Sequence, residues 1–405
     1  MAIFLEPLDV WVFRDGRPFT AGDDHHAKCV FPPAPFTVQG ALRSKVLTER
    51  CGDLEKYAGR RRGDCPVCGS VARCPLRDEI GSPSDAGPFR LRSVLPARRG
   101  NVAITRYFPL PRHVVRAKAN ASRQVLRPID QAGPTSLPDG LRVLGVKGPD
   151  LVEHVEGWVD AATLEEILRG KIPETLKYVR ARAGGLGKHA GSDPVEAMCE
   201  EESRVGIALT PGRRTTQPGR FFVIDALRLR KDWGLAVSFE GLPSLAGAGL
   251  LDIGGEGRAA RFETVDEGPL PAAPADEVGS DRRFLLYLAA PALFGGDGSR
   301  WSWRPGFLGL DGIGTVPGSD TRVRLVAAAL GTPVRISGWE LGEGDRGGRP
   351  RPARAAVPAG SVYFFEIVDG PVDPILGLHG KMSTDWGAEF GFGLALVGRW
   401  LRWHD

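Results

Sequence analysis

The sequence predicts an α+β protein made of two related domains in tandem, and three observations predict it. A strongly apolar strand opens each half, over residues 2–13 and again over residues 284–290. A glycine-rich loop closes each half, IGGEGR at 253–258 and GFGLALVG at 391–398. Glycine (54) and proline (33) are abundant in the 405 residues, which favours loops and short elements over long helices.

The composition narrows the class further. A hydrophobic fraction of 42% and a charged fraction of 25% are those of an ordinary globular protein. The net charge of +4 does not by itself announce a nucleic-acid partner, so local clustering has to decide. No fixed-period repeat argues for a solenoid, and no apolar run reaches the roughly 18 residues of a membrane span. The first strand carries Glu6 and Asp9 and lacks a basic leader, so it reads as a strand rather than a signal peptide. Six cysteines in so long a chain are no disulfide framework. The expectation is a cytoplasmic protein without membrane contact.

Each element follows from local pattern. Residues 2–13 are rich in strand formers. Residues 14–35 (RDGRPFTAGDDHHAKCVFPPAP) form a long loop, because Pro32, Pro33 and Pro35 exclude helix until they are passed. Val38, Ala41, Leu42 and Val46 then recur at helical spacing over 37–47, with Thr37 as N-cap. Residues 51–77 form an insertion short of apolar residues. Between Arg98 and Arg127 stand eight cations (Arg98, Arg99, Arg106, Arg112, Arg116, Lys118, Arg123, Arg127) and no acid, interleaved with Tyr107, Phe108 and His113. Uncompensated cations repel one another, so this run predicts a polyanionic partner. Asp160 caps a short helix over 160–168, and residues 181–193 form a glycine-rich basic loop. Two strands, 202–209 and 221–229, flank the loop PGRRTTQPGR. Residues 268–282 read as a linker, 322–330 as helix or strand, 340–358 as a polar loop and 361–368 as a strand. The expected domains are therefore 1–267, containing the insertion, and 283–405.

In the closing stretch GAEFGFGLALVGRW (387–400), Gly391, Gly393 and Gly398 permit positive φ and close approach of a backbone or a phosphate. Leu394 to Val397 read as a buried strand.

Six stretches in order resemble one family: EPLDVWVFRDGRPFTAG (6–22), FPPAPFTVQGALRSKVL (31–47), ESRVGIAL (202–209), GGEGR (254–258), VPAGSVYFFE (357–366) and EFGFGLALVG (389–398). They resemble the third subunits of the Cmr complex, the type III-B CRISPR effector, within the repeat-associated (RAMP) superfamily. The resemblance spans nearly the whole chain, although the insertion at 51–77 does not map onto it. It implies two ferredoxin-like, RRM-type domains and no catalysis. It further implies a scaffold in antiviral defence that binds the repeat-derived 5′ tag of the guide RNA (crRNA). Such a scaffold docks the large polymerase/cyclase-like subunit, sits beside the other RAMP subunits and meets target RNA indirectly. The equivalent tag-binding subunit of another type III subtype is an alternative with the same chemistry. The superfamily's glycine loop corresponds to Gly391, Phe392, Gly393 and Gly398.

Single-stranded RNA is read by bases resting on aromatic or guanidinium planes, with cations along the backbone. The residues that suit this are Arg14, Arg17, Phe19, His25, His26 and Lys28 on the opening loop, and Arg43 and Lys45 on the helix behind it. Arg213 and Arg214 join them from the PGRRTTQPGR loop, Gly255 and Arg258 from GGEGR, and Gly391, Phe392 and Gly393 from the closing loop. The glycine loops can admit a phosphate against backbone N–H groups.

Cys51, Cys65, Cys68 and Cys74 have the spacing C-x13-C-x2-C-x5-C, the signature of a tetrahedral structural zinc site. Four thiolates leave no open position for chemistry, and the metal would supply the folding energy that the insertion lacks. Cys29 and Cys199 read as buried free thiols. His25 and His26, beside Asp24 and Lys28, support a rival reading. That rival is a metal-independent guide-processing endoribonuclease, in which the 2′-OH attacks the phosphate. Asp23 and Asp24 read as loop solvation, and Glu202 as a structural partner of Arg204. GGEGR is too short for a dinucleotide fingerprint.

Overall fold

Ile3, Phe4 and Leu5 are buried on both faces of strand β1 (Ala2–Pro7). Successive side chains of a strand point to opposite faces. Ile3 and Leu5 therefore enter the main core, while Phe4 enters a second cluster with Ala97 and Ala236. The computed structural model describes the chain outside residues 17–25, 52, 59–67, 70–73, 83–84, 131–134, 139, 149–150, 174–175, 183–194, 211, 214, 297–300, 341–347 and 404–405. The chain divides into two compact units: residues 1–104, 181–267 and 335–353, and residues 105–180, 268–334 and 354–405.

In the first unit, β1 is followed by helix α1 (Pro35–Arg50) and strand β2 (Arg90–Arg99). The helix starts at Pro35 rather than after an N-cap at Thr37, because the first turn has no use for the N–H that proline lacks. Its buried face carries Val38, Ala41, Leu42, Val46 and Leu47. A long hairpin follows, β3 (Ala197–Leu209) with β4 (Thr216–Leu229), then β5 (Trp233–Glu240), β6 (Ala248–Asp252) and β7 (Ala259–Thr264). The order across the sheet is β2–β5–β1–β7–β6, and each of these neighbours is antiparallel. Strands β1 and β2, joined through α1, are thus parallel to each other with β5 between them.

In the second unit, helix α2 (Ala161–Leu168) is capped by Asp160, whose carboxylate accepts from Thr163 N at 2.8 Å. Strands β8 (Arg283–Leu288), β9 (Arg322–Ala329), β10 (Val362–Asp369) and β11 (Leu394–Gly398) belong to a six-stranded sheet. The order β9–β10–β8–β11 is again antiparallel throughout. Ile313–Thr315 and Lys381–Met382 form its edges. In both units the second strand of the set pairs with the third, the third with the first, and the first with the last: β2–β5–β1–β7 and β9–β10–β8–β11. The first-to-second connection carries α1 in the first unit but no α-helix among the described residues of the second. There α2, from earlier in the chain, comes alongside: Leu168 O accepts from Arg399 N at 2.7 Å. A Cβ on Gly398 would stand 2.9 Å from the Leu168 side chain, so only glycine lets the helix approach.

The stretch expected as a linker contains a short helix, Ala275–Asp281, with Val278 fully buried. Residues 105–180 group with the second unit and 335–353 with the first. These groupings come from pairing between distant segments, which local pattern does not carry. Among the described residues, no helix is long and apolar enough to cross a membrane.

Candidate nucleic-acid interface

Both described ends of the opening loop are fastened in the first unit. Trp11 exchanges backbone hydrogen bonds with Leu227 of β4, at 2.9 and 2.8 Å. Asp15 N donates to Lys28 O and Val30 N to Phe13 O. His26–Ala27 runs parallel to β4 beside Val223 and Ile224. Alternation then sorts the side chains. Ala27 and Cys29 are buried, while His26 and Lys28 are exposed, as is Arg14. Arg17, Phe19 and His25 lie outside the described residues, as does Arg214.

His26 Nε2 lies 2.7 Å from Asp225 Oδ2, and Ser203 Oγ donates to Asp225 Oδ1 at 2.7 Å. Burial pushes the Asp225 carboxyl up, but the hydrogen bonds from His26 and Ser203, with nearby positive charge, leave it below its ordinary value. Arg182 donates to the Cys29 carbonyl and pairs with Glu201. Cys29 and Cys199 are buried free thiols, as expected, and burial pushes them up to about 11 and about 12.

Beside this edge runs an ion-pair network. Glu202 holds Arg204 and Arg228, both at 2.7 Å. Asp9 meets Arg228 at 3.1 Å and both Arg204 and Arg258 at 3.5 Å. The hydrogen bonds from Arg204 and Arg228 hold the Glu202 carboxyl below its ordinary range. Glu202 is thus a structural partner of Arg204, as expected. The GGEGR loop packs on the chain itself: Gly255 N donates to Val12 O at 2.8 Å, and Gly254 holds φ +81 against the same residue. Gly255 stays exposed, while Arg258 is half-buried and tied to Asp9.

Several of the expected contact residues have partners within the chain. Arg43 donates to Ser82 O and Asp85 O at 2.6 and 3.2 Å. Lys45 pairs with Glu49 at 2.6 Å, one helical turn on. Phe392 is fully buried, which corrects its expected place on an RNA-facing surface. Gly391 and Gly393 are buried with it, and Gly393 N donates to Pro291 O at 2.8 Å. Part of the basic run finds acceptors elsewhere in the chain, three of its eight cations meeting carboxylates. Arg98 meets Glu196, Arg99 meets Glu263 and Arg116 meets Glu153. Arg106 is buried and donates to Gly268 O and Pro269 O, and Arg127 donates to Arg402 O. Arg213 remains exposed in the turn between β3 and β4.

One contributor had no signal in the sequence. The described parts of the 335–353 strap, read there largely as a polar loop, pass beside the described start of the opening loop at Gly16. A Cβ on Gly16 would stand 3.1 Å from Ser337 Cβ and 3.3 Å from Arg335 O. The Arg351 guanidinium lies over the Phe36 ring at 5.2 Å. This strap brings exposed Arg335, Trp339 and Arg349 to the same unit.

Of the four spaced cysteines, Cys74 belongs to the first unit's core cluster and Cys51 and Cys68 pack against it. Cys65 lies outside the described residues. Among the described residues, no three His, Cys, Asp or Glu side chains are grouped closely enough to hold a metal.

Residues 3–400 match the family described as CRISPR-associated protein (Cas_Cmr3). None of the curated proteins compared with the chain matches it. The fold is similar to a chain in the cryo-EM structure of the Type III-B Cmr-beta bound to cognate target RNA and AMPPnP, state 1. The TM-score is 0.46 at 14% identity, over 90% of this chain and 86% of that one. A chain in the cryo-EM structure of the Type III-B Cmr-beta bound to cognate target RNA gives 0.46 at 15%, with the same coverage.

Proposed function

Because the chain belongs to the CRISPR-associated Cas_Cmr3 family, we propose that it is a non-catalytic RNA-binding scaffold of a type III-B effector. In this reading it holds the repeat-derived 5′ tag of the guide RNA and docks the large polymerase/cyclase-like subunit. The observation that carries the reading is the fastening of the opening loop to β4, which turns Arg14, His26 and Lys28 outward on one edge. Cations fixed on a rigid edge can follow a phosphate backbone.

We read both sheets as ferredoxin-like, on the strength of the strand order that they share. β1 and β5 are buried on both faces in the first unit, and β8 and β11 in the second. RNA would then lie along the loops at the sheet edge rather than on an open sheet face. The cysteine spacing supports a structural zinc in the insertion, held through Cys51, Cys65, Cys68 and Cys74.

The test titrates the full-length chain with tag RNA and with a scrambled RNA over a range of salt. Affinity falls with salt, because phosphate contacts release counterions. Combined Arg14→Ala and Lys28→Ala lowers tag affinity about tenfold, an order-of-magnitude expectation for lost phosphate contacts, while Lys231→Ala does not. Equal losses would mean diffuse charge attraction and would end the tag-recognition reading.

One observation favours a second reading. A buried carboxylate orients the imidazole of His26, as it would for a general base. In that case the base takes the 2′-OH proton, the 2′-oxygen attacks phosphorus and the P–O5′ bond breaks. The products are a 2′,3′-cyclic phosphate and a 5′-OH once the leaving oxygen is protonated. Repeat RNA incubated with the chain and a chelator decides: a clean cut abolished by His26→Ala would replace the scaffold reading.

A further inference from the structure

We propose that Trp339 is a stacking platform for an unpaired base of the RNA held by the first unit. The inference rests on the RNA-binding reading and extends it to a strap outside every stretch that carries the family resemblance.

The strap is fixed at its root. Arg351 N donates to Gly338 O at 2.7 Å, and Ser337 Oγ donates to Arg351 O at 3.4 Å. Trp339–Glu340 then pairs antiparallel with Arg349–Pro350, so the indole stands on a backbone-paired ribbon. Gly348 backs the ring: a Cβ there would stand 2.5 Å from Trp339 Nε1 and 3.0 Å from Cε2. Any larger residue would displace the indole. Yet Trp339 is 64% exposed. An aromatic ring held against backbone on one side and open to solvent on the other is rigid and costs little side-chain entropy to engage.

The surroundings select the partner. Glu340 is the one carboxylate among the described residues of the strap, and Arg349 pairs with it at 3.3 Å. Arg335 is exposed, and Arg14 and Lys28 stand exposed on the adjoining loop segments. An apolar protein pocket closing over Trp339 would have to take this exposed charge out of water. A single nucleic-acid strand meets both needs, with a base on the indole and phosphates on the guanidinium and ammonium groups.

The experiment measures binding of the full-length chain to an unstructured RNA oligonucleotide and to a duplex RNA of equal charge. Base–aromatic stacking predicts that Trp339→Ala weakens single-strand binding about tenfold. Trp339→Phe keeps affinity within about threefold, and duplex binding does not change. Thermal melts of both variants match the parent, because the ring is on the surface. Four results overturn the proposal. Unchanged single-strand affinity in Trp339→Ala, with Arg14→Ala plus Lys28→Ala still weakened, removes the platform and leaves the RNA reading standing. Equal losses on single strand and duplex make Trp339 a general support of the surface. Normal RNA binding with lost assembly onto the other effector subunits makes it a protein contact. A parent chain that binds no RNA removes both readings together.

Discussion

His26 and Asp225, 199 positions apart in the chain, meet at 2.7 Å between Nε2 and Oδ2. Asp225 is buried and also holds Ser203, so one carboxylate fastens the opening loop to the hairpin of β3 and β4. Asp225→Ala leaves that hydroxyl and the imidazole without their acceptor. A loss of about 1–3 kcal/mol is expected in urea unfolding, with weakened tag binding. His26→Ala costs little stability, because the imidazole is exposed, yet it lowers tag affinity. If His26→Ala binds the tag normally, the imidazole only locks the loop.

Gly393 has φ +82, and a Cβ there would stand 2.7 Å from Ser383 O and from Thr384 Cβ. Gly393→Ala therefore strains the backbone and clashes with it at once. A stability loss of about 2–3 kcal/mol is expected by chemical denaturation. The variant that remains folded binds RNA like the parent, since Phe392 and its neighbours are inside. Weakened binding with unchanged stability would return this loop to the RNA surface.

His113 is fully buried and meets Phe364 edge-on at 5.9 Å between ring centroids. Burial pushes its pKa down from 6.5 to about 4. Between those values the unfolded chain binds the proton and the folded chain does not, so stability falls as pH drops through that window. The full loss is about 3 kcal/mol, because each pH unit across the window is worth about 1.36 kcal/mol. Urea midpoints at pH 7 and pH 5 read the upper part of it, about 2 kcal/mol, and His113→Leu should flatten the slope. The same slope in both proteins would assign the acid sensitivity to other groups.

One zinc per chain is expected from elemental analysis of purified protein. Removing it with a chelator, or replacing Cys68→Ser, should loosen the insertion and increase its proteolysis while both sheets persist. Metal-free protein with a protease-resistant insertion would leave these cysteines as ordinary thiols.

The local elements were largely legible. Alternation and apolar runs located β8, β10 and β11, and Asp160 read correctly as a cap, because caps and strand patterns are properties of a few adjacent residues. The charge compensation was not legible, for the same reason. The run from Arg98 to Arg127 has no acid nearby in sequence, yet Arg99 reaches Glu263, 164 positions away. Arg43 and Lys45 likewise looked free on a helix, until Ser82 and Asp85 supplied carbonyls to the first and Glu49 a carboxylate to the second.

By itself the sequence determined the α+β class, the paired glycine loops and the family, each carried by residue type and spacing along the chain. The tertiary structure decided which cations remain at the surface and which are spent on the fold. It also decided that Phe392 is core and that Arg335 and Ser337 adjoin Gly16 of the opening loop. Those outcomes depend on which distant segments pair, and pairing is set by hydrogen bonds and packing between residues that the sequence separates by hundreds of positions.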